Sequence, residues 1–376
     1  MRRLSTSLAM LFASGCLSFH AGPMDGEPAD ATYASVEGAR VRYVDEGEGP
    51  AVVLLHGFAS SLETWEGVRP ALRERHRVLA LDLKGFGWTD RPRGDYSPAA
   101  QARLVLALMD ARGVERAALV AHSWGSSVAL QVALEAPERV SRLALYDAYV
   151  YPEQRNTFFQ WADADGMGEL LFGLFYDQRP EERIALAFFD PDGIPQALID
   201  AIERASARPG TGAAALAAAR GMRAFEPSRY GDIRAPVLLL WGREDRVTPL
   251  SYGERLQNEL ADARLRVYPR CGHFPMIEAA RPSLRDLSEF LAAEHAQETL
   301  PALRPPEPPR VRVLGAALLQ AASRALEALA RRLALVEAPA APAEPQLEFY
   351  GDAAAPEGAL YVNGQLVGHV LGVNRL

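Results

Sequence analysis

The sequence predicts an α/β fold in which helices cover a mostly parallel, twisted sheet. Short apolar runs alternate with segments of helical periodicity from Ala31 to about Ala296. Several of these runs, such as Ala51–Leu55, are apolar at every position, as in strands that are buried on both faces. The alternation is interrupted once, between Ala148 and about Ile233, by a stretch of helical and aromatic character.

The strands can be assigned in chain order. An antiparallel pair, Ala31–Val36 with Ala39–Val44, is expected to lead into the sheet, and Ala51–Leu55 follows as its first buried strand. The helical segment Ser97–Ala111 has Ser97 as its N-cap and Pro98 in its first turn. The remaining strands are expected at Val78–Leu83, Ala117–Ala121, Leu143–Tyr146, Val237–Trp241 and Leu265–Tyr268.

The interruption at about 148–233 is too long for a loop inside a compact domain, so it is expected to form a helical cap over the sheet. Its aromatic side chains either line a pocket or pack the cap, and packing is favoured for any single one of them. The domain is therefore expected to span 31–296 and to end with a helix from Pro282 to about Ala296.

Composition limits the classes of function. The 376 residues are 49% hydrophobic and 23% charged, which fits one large globular domain with additional segments. The formal net charge of −8 argues against nucleic acid as a partner, because phosphates would be repelled. Two cysteines are too few for a disulfide framework or a thiolate zinc site. Together these features favour a small-molecule substrate.

The first 22 residues have the pattern of an export leader. Arg2 and Arg3 precede an apolar run, Leu8–Phe12, and then small residues. The segment Ala13–Cys16 resembles a bacterial lipobox, in which Cys16 would be lipidated and become the first mature residue.

Two locations follow from this leader. A lipidated Cys16 predicts a lipoprotein anchored at a membrane and facing the periplasm or the cell surface. The alternative is a plain signal peptide cleaved near Cys16 or Ala21, which gives a soluble periplasmic or secreted protein. In the first case Leu17–Pro28 is expected to be a short leash between the membrane and the domain.

The composition changes after Leu300. Residues 300–346 consist of proline-rich linkers on either side of an amphipathic Ala/Leu-rich helix, Val311–Val336, which either packs on protein or lies at a membrane interface. Residues 347–376 end in a β-hairpin that turns at Asn363-Gly364. Pro356–Ala359 and this hairpin together resemble the opening of a PEGA-type surface module.

A serine at a strand-to-helix turn is the strongest chemical signal. The strand Ala117–Ala121 leads through Ser123 into the helical segment Val128–Ala136, and such a turn presents a serine hydroxyl above a sheet. The residues two positions before and after the serine must be small, because the strand and the helix nearly touch there. They are Ala121 and Gly125.

Five motifs, each after the expected element, resemble those of the α/β-hydrolase family over about Ala31 to Ala296. The first three follow consecutive buried strands, and the last two follow the strands near the end of the domain. They are His56–Phe58, Asp82–Gly87, Ala121–Gly125, Trp241–Asp245 and Cys271–Phe274.

A serine needs an adjacent base, and the base needs an orienting carboxylate. In this fold the chain order is serine, acid, histidine, so His273 is predicted to be the base of Ser123. Asp245 is favoured as the acid, and Asp147 is the alternative because it ends the preceding strand. Glu244 is expected to face solvent.

The resemblance also implies an oxyanion hole made by the main-chain N–H groups of Phe58 and Trp124. His122 is expected to point away from its neighbour Ser123, and His56 to organise its own loop. No cluster with metal-ligand spacing and no phosphate-binding glycine loop is present, so neither a metal nor a cofactor is predicted.

Ser123 in place of a carboxylate nucleophile excludes the dehalogenase and epoxide hydrolase reactions of this fold. Hydrolysis of a carboxylic ester through an acyl-enzyme is the favoured function. Hydrolysis of a C–C bond in a diketone-like substrate is the first alternative, followed by acyl transfer or peptide hydrolysis. A protein of another class, an exported surface-binding protein that has kept the fold, stays open.

Overall fold

A computed structural model describes residues 17–174, 176, 180–298, 347–348, 359–362 and 365–369. The chain divides into two units, Met1–Pro301 and Ala302–Leu376. Eight strands of the first unit form one sheet in the order β1-β2-β4-β3-β5-β6-β7-β8. Their bounds are β1 Thr32–Val36, β2 Ala39–Glu46, β3 Ala51–Leu55, β4 Arg77–Leu81, β5 Ala117–His122, β6 Val140–Tyr146, β7 Val237–Gly242 and β8 Ala263–Tyr268.

The pairing brings the carboxyl ends of the central strands to one edge. β1 and β4 each pair antiparallel with β2, and all other neighbours are parallel. β3, β5, β6 and β7 are buried along nearly their whole length because they carry apolar side chains on both faces. The loops that follow them therefore meet above the same edge of the sheet, where ligands bind in open α/β sheets.

Helices cover the sheet and form the cap. In α2 the N-cap Ser97 accepts a hydrogen bond from the N–H of Ala100 at 3.3 Å, as the sequence predicts. The helices that flank the sheet are α1 Arg69–Leu72, α2 Pro98–Ala111, α3 Trp124–Glu135, α9 Leu250–Glu259, α10 Pro275–Glu278 and α11 Ala280–Glu298. Those between β6 and β7 are α4 Thr157–Trp161, α5 Met167–Leu174, α6 Pro180–Ala187, α7 Gln196–Ser206 and α8 Thr211–Gly221.

The insertion between β6 and β7 is helical, as its composition predicts. Its aromatic residues pack mainly on one another: the ring of Phe172 lies 5.1 Å from that of Phe158 and 5.1 Å from that of Tyr176. Phe159 and Tyr176 also reach the ring of Phe58 in the sheet domain, at 5.3 Å and 6.3 Å. The cap therefore covers the edge of the sheet at which the loops meet.

The expectation of a leash at Leu17–Pro28 is wrong. His20 and Arg91 exchange two main-chain hydrogen bonds, at 2.9 and 2.7 Å, and the ring of Phe19 stacks on Tyr96 at 6.1 Å. Met24 is 6% exposed. These apolar side chains gain more by packing on the domain than by remaining in water, so the segment belongs to the folded unit.

In the second unit, β9 (Leu347–Glu348), β10 (Ala359–Val362) and β11 (Gln365–His369) form a small sheet. β10 and β11 pair antiparallel on either side of Asn363-Gly364, in agreement with the predicted hairpin.

Several expectations lie outside the described residues. They are the leader up to Cys16, the linkers and helix within 300–346, and Pro356–Gly358 of the PEGA-like segment. Within the described part of the chain, no helix has the length and apolar character needed to cross a membrane.

Candidate active site

Ser123 occupies the turn between β5, which ends at His122, and α3, which begins at Trp124. Its φ and ψ of 52° and −124° are strained for a residue with a side chain, and such strain costs about 1–3 kcal/mol. Three main-chain hydrogen bonds hold it. The N–H of Ser123 donates to the carbonyl of Tyr146 at 2.9 Å, and its own carbonyl accepts from Ser126 at 2.9 Å and Tyr149 at 3.0 Å.

Close packing around this turn explains the small residues beside it. A Cβ on Gly125 would lie 2.4 Å from the carbonyl oxygen of His56 and 2.8 Å from that of Leu55, so no larger residue fits. The methyl group of Ala121 is fully buried and is accommodated. A Cβ on Gly57 would lie 3.0 Å from Cβ of Ser123, which shows how closely the loop after β3 approaches the serine.

His273 bridges Ser123 and Asp245. Its Nε2 lies 2.9 Å from Oγ of Ser123, and its Nδ1 lies 2.8 Å from Oδ2 of Asp245. Because an ionised carboxylate can only accept, Nδ1 carries the proton and Nε2 is the acceptor for the serine hydroxyl. The three residues are 5–6% exposed. The structure thus brings together the three residues that the sequence places far apart.

The carboxylate of Asp245 accepts several hydrogen bonds besides that of His273. Its Oδ1 accepts from the N–H groups of Val247 at 2.7 Å and Thr248 at 3.0 Å, and its Oδ2 accepts from the hydroxyl of Thr248 at 2.5 Å. Burial alone would raise the pKa of Asp245, but the charge and hydrogen bonds of His273 and the bonds from Thr248 outweigh it and hold the pKa below its ordinary value. Asp245 is therefore an anion beside His273.

Asp147, the alternative acid, lies at the same edge but does not hydrogen bond to His273. Its Oδ1 accepts instead from the N–H of Gly242 at 2.9 Å. Ligand atoms of Asp147, Asp245 and His273 nevertheless all lie within 4.8 Å of one another. Sequence spacing cannot show this proximity, because three different loops bring the residues together. Nδ1 of His273 is already engaged by Asp245.

The predicted oxyanion donors lie on the two loops that meet at Ser123. Trp124 is the first residue of α3, so its N–H has no acceptor within the helix. Within the described part of the chain, neither this N–H nor that of Phe58 donates to a protein acceptor. The two rings contact each other edge to face at 6.3 Å. Two unused N–H groups beside a serine are the arrangement that an oxyanion requires.

Two buried histidines support the loops rather than contact the serine hydroxyl. Nε2 of His122 donates to the carbonyl of His273 at 2.7 Å. Nδ1 of His56 donates to the carbonyl of Gly57 at 2.7 Å, while its Nε2 accepts from the N–H of Leu83 at 3.0 Å. Burial lowers the pKa of both rings, so both are neutral. Their placement agrees with the sequence expectations for His56 and His122.

Sequence analysis missed three neighbours of His273. Thr248 binds Asp245 as described above, and its position three residues after an aspartate was a usable signal for a local turn. The carbonyl of Ala187 in the cap accepts from the N–H of His273 at 2.7 Å, and Oε1 of Glu278 accepts from that of Gly272 at 3.0 Å. The contact with Ala187 involves main-chain atoms alone and leaves no trace in sequence.

Glu244, expected in solvent, is half-buried. Its carboxylate accepts a hydrogen bond from the N–H of Cys271 at 3.0 Å. The expectation of a solvent-facing side chain is therefore wrong, because the loop that carries the base folds back over β7 and offers Glu244 a donor.

Aromatic rings surround Phe58, on the loop that approaches Ser123, and form an aromatic wall there. The ring of Phe58 contacts Phe86 at 5.4 Å, in addition to Trp124, Phe159 and Tyr176. A small cavity continues from this wall between the sheet domain and the cap. Residues that line it include Ala59, Ser60, Phe86, Arg91, Tyr176 and Thr211.

Comparison with known proteins agrees with this geometry. The profile of the α/β hydrolase fold matches residues 50–190 and 205–280. The chain is 33% identical over 263 residues to the 2-hydroxy-6-oxo-2,4-heptadienoate hydrolase of Pseudomonas putida, a match that covers 66% of this chain and 92% of that protein. It is 32% identical over 268 residues to the 2-hydroxy-6-oxononadienedioate/2-hydroxy-6-oxononatrienedioate hydrolase of Comamonas testosteroni, with 67% and 91% covered.

A solved structure of another hydrolase has a similar fold. The meta-cleavage product hydrolase of Pseudomonas fluorescens superposes with a TM-score of 0.59 at 27% sequence identity, and the match covers 70% of this chain and 97% of that one. The fold, the matched profile and these relatives lead to one conclusion: the chain belongs to the α/β hydrolase fold family.

Proposed function

We propose that this hydrolase cleaves carboxylic esters, with Ser123 as nucleophile, His273 as general base and Asp245 as the residue that orients the base. The observation that carries the proposal is the pair of short contacts through His273, 2.9 Å to the serine hydroxyl and 2.8 Å to the carboxylate. A base hydrogen bonded to both groups activates a hydroxyl that is otherwise a weak nucleophile.

Acylation is the first half of the reaction. Oγ of Ser123 attacks the carbonyl carbon of the ester while its proton moves to Nε2 of His273. The carbonyl oxygen becomes an oxyanion and accepts hydrogen bonds from the N–H groups of Phe58 and Trp124, which together contribute several kcal/mol. The tetrahedral intermediate then collapses, and the departing alkoxide takes the proton from His273 as it leaves as an alcohol.

Deacylation repeats the steps with water. His273 accepts a proton from water as the water oxygen attacks the acyl carbon. The second tetrahedral intermediate breaks its bond to Oγ, the acid leaves, and His273 returns the proton to Ser123. Asp245 stays ionised throughout and holds the Nδ1 proton of the ring, which keeps Nε2 directed at the serine.

The aromatic wall indicates the class of acyl group. The rings of Phe159 and Tyr176 both contact that of Phe58, whose loop approaches the serine. Apolar side chains of an ester would gain about 25 cal/mol for each Å² that they bury against such rings. We therefore propose an ester of an apolar acid as the substrate.

Hydrolysis of a C–C bond is the second candidate, and the relatives from Pseudomonas putida and Comamonas testosteroni favour it. The names of those enzymes describe oxo acids, so such a substrate would bring a carboxylate into the site. Arg91 lines the cavity, but its guanidinium already donates to the carbonyls of Gly87 and Thr89 and to the hydroxyl of Thr211. An acid substrate would have to compete with these acceptors.

The test uses two substrate panels on one preparation of the full chain. One panel contains p-nitrophenyl esters of increasing acyl length, and the other contains 2-hydroxy-6-oxo-dienoates. Ester turnover that exceeds dienoate turnover in kcat/KM supports the proposal. The reverse ranking assigns C–C hydrolysis and leaves the three site residues in the same roles.

Covalent labelling tests the nucleophile and separates enzyme from surface-binding protein. A fluorophosphonate should label the native chain stoichiometrically, and Ser123→Ala should abolish both labelling and hydrolysis. Ser126→Ala is the matched control, because Ser126 lies in the same turn and its buried hydroxyl has no hydrogen-bond partner in the described structure. A folded native chain that neither labels nor hydrolyses any substrate would assign a binding protein.

A further inference from the structure

Asp147 is held in a strained position beside Asp245. It follows β6, and its φ of 43° lies in the left-handed region, where aspartate is tolerated better than most residues. Its N–H donates to the carbonyl of Leu240 at 3.0 Å, and its own carbonyl oxygen lies 3.2 Å from Oγ1 of Thr248, whose proton is donated to Asp245. Thr248 thus touches both aspartates. The main chain fixes the carboxyl group of Asp147 between the ends of β6 and β7.

The two carboxyl groups have unequal surroundings. Asp245 accepts four hydrogen bonds, counting those from Val247, Thr248 and His273. Asp147 is fully buried and accepts one, from Gly242, while its Oδ2 has no donor in the described structure and its carboxyl group lies within hydrogen-bonding reach of that of Asp245. A buried carboxylate oxygen without a donor is costly, whereas a protonated oxygen there would need only an acceptor.

The charges that face Asp147 are mostly negative. Asp245 and Glu278 lie near it, together with the thiol of Cys271, and the ring of His273 is the one group among them that can become a cation. Burial, followed by the charge of Asp245, raises the pKa of Asp147 well above the ordinary value of an aspartate. Of two coupled carboxyl groups, the one with fewer donors keeps the proton.

We propose that Asp147 is a positioning residue that works as a reserve acid: it stays a neutral carboxylic acid while Asp245 is ionised, and it becomes the carboxylate that orients His273 when the charge of Asp245 is removed. The proposal rests on the proposed roles of Ser123 and His273.

The exchange of roles is possible because ligand atoms of Asp147 and His273 already lie within 4.8 Å. With an amide at 245, the larger of the two opposing charges is removed, and Glu278 is the anion that still opposes the ionisation of Asp147. Its proton passes to solvent, and the new carboxylate is an anion within 4.8 Å of a ring nitrogen of His273, close enough to compete for the Nδ1–H after a small side-chain rotation. Because burial still opposes the charge, this ionisation occurs above the usual pH range of an aspartate.

The experiment compares the native full chain with Asp147→Asn, Asp245→Asn and the double variant. Rates of fluorophosphonate labelling and of p-nitrophenyl acetate hydrolysis are measured from neutral to mildly alkaline pH. Asp147→Asn should stay within a few-fold of native at neutral pH, because an amide resembles the neutral acid. Asp245→Asn should lose up to about 10⁴-fold, the cost of a mis-oriented imidazole.

The decisive comparison is between Asp245→Asn and the double variant. The single variant should recover activity as pH rises, and the double variant should lack this rise and lie roughly ten-fold or more lower at the alkaline end. Equal activities and equal pH profiles for these two variants would overturn the proposal. So would a loss in Asp147→Asn as large as that in Asp245→Asn, since it would show that Asp147 is needed as an anion.

Infrared spectra keep the proposal testable if Asp147→Asn does not fold. The native chain should show the carbonyl stretch of a buried protonated carboxylic acid at neutral pH, and in Asp245→Asn this band should disappear as the pH is raised. Absence of the band from the native chain would overturn the proposal without any assay. A native chain that does not react with the fluorophosphonate would instead refute the proposed function. The infrared band would then still test whether Asp147 is protonated.

Discussion

The main-chain N–H of His273 donates to the carbonyl oxygen of Ala187 at 2.7 Å, so the loop that carries the proposed base is hydrogen bonded to the cap. Ala187 ends α6, and two residues later the N–H of Phe189 donates to the carboxylate of Glu278 at 2.7 Å. The cap thus contacts the loop after β8 as well as the ring of Phe58 in the loop after β3. Its position bears on catalysis as well as on substrate choice.

Gly272→Ala should therefore impair turnover without unfolding the domain. A Cβ at this position would lie 2.4 Å from the carbonyl oxygen of Ala187 and 2.7 Å from the N–H nitrogen of Phe189, both of them backbone atoms. The loop must shift to relieve this overlap, and His273 shifts with it. Because misplacement of a catalytic group by about 1 Å can cost 100-fold, we expect kcat to fall by about that factor.

Gly193→Ala is the matched control, since it lies in the cap and its Cβ would meet no atom within 4 Å. Melting temperatures and kcat of both variants are measured with one ester. Similar kcat values for the two variants would show that the contact between cap and base loop has no catalytic importance.

Phe159→Ala should shift the preferred acyl length toward longer chains. The ring of Phe159 contacts that of Phe58 at 5.3 Å, and its removal opens space beside the serine. We expect the ratio of kcat/KM for a long ester to that for a short one to rise roughly ten-fold, the effect of one or two methylenes in an apolar pocket. Trp161→Ala is the control on the same helix, because its side chain is 58% exposed. An unchanged ratio in Phe159→Ala would place the acyl site elsewhere.

Glu27→Gln should destabilise the protein at neutral pH and less so in acid. The hydrogen bond from Arg40 lowers the pKa of Glu27 from 4.5 to about 2. Because the folded value lies below the unfolded one, this stabilisation is complete above pH 4.5 and is lost as pH falls toward 2. Urea denaturation should show a loss of about 1 kcal/mol at neutral pH, as for other ion pairs near a surface.

The control for this ion pair is Glu66→Gln, at an exposed glutamate for which the described structure shows no ion pair. Its effect should be small and should not depend on pH. A destabilisation by Glu27→Gln that stays constant down to pH 2 would argue against an ionic role and assign the loss to packing of the N-terminal segment.

Cys16→Ser tests the predicted lipoprotein leader. Expressed with its leader in a bacterial host, the native chain should fractionate with membranes, and the variant should be released or remain unprocessed, because a lipoprotein is held by its acyl chains. Mass spectrometry of the mature N-terminus is the direct measurement. If the variant fractionates as the native chain does, the lipobox interpretation fails and the helix predicted from the sequence at Val311–Val336 becomes the better candidate for membrane contact.

Activity should survive EDTA and exhaustive dialysis, whereas added Zn²⁺ should inhibit. Asp147, Asp245 and His273 offer ligand atoms within 4.8 Å of one another. A cation bound there would coordinate Nδ1 of His273 and displace the Nδ1 proton that is hydrogen bonded to Asp245. Inhibition should be reversed by EDTA. A loss of activity on dialysis that only a metal restores would show that the cation belongs to the mechanism.

The sequence predicted the strands well because they are apolar along their whole length. The predicted ends of elements were less accurate where a side chain hydrogen bonds to the main chain and turns it. The strand expected to reach Leu83 ends at Leu81, since Asp82 turns the chain by accepting from the N–H groups of Leu62 at 2.7 Å and Trp88 at 2.8 Å. The helix expected from Val128 begins at Trp124, directly after the strained serine.

The candidate site was accessible to sequence reasoning only where a motif accompanied the residue. Ser123, Asp245 and His273 each follow a recognisable strand, and the structure brings them into contact. The partner of His273 in the cap, Ala187, contributes a carbonyl oxygen that any residue could offer. The docking of Leu17–Pro28 was missed because a signal-like pattern upstream favoured a tether over a packed segment.

Phe58 contributes both to the proposed oxyanion hole and to the shape of the pocket. Its main chain is a proposed oxyanion donor, and its side chain contacts Phe159 and Tyr176 of the cap. A substitution at Phe58 that reshapes the pocket for a new acyl group would also displace the N–H that stabilises the transition state. Substitutions that change specificity but preserve kcat are therefore expected in the cap, at the residues that contact Phe58. The substrate range can then change while the residues of the sheet domain stay the same.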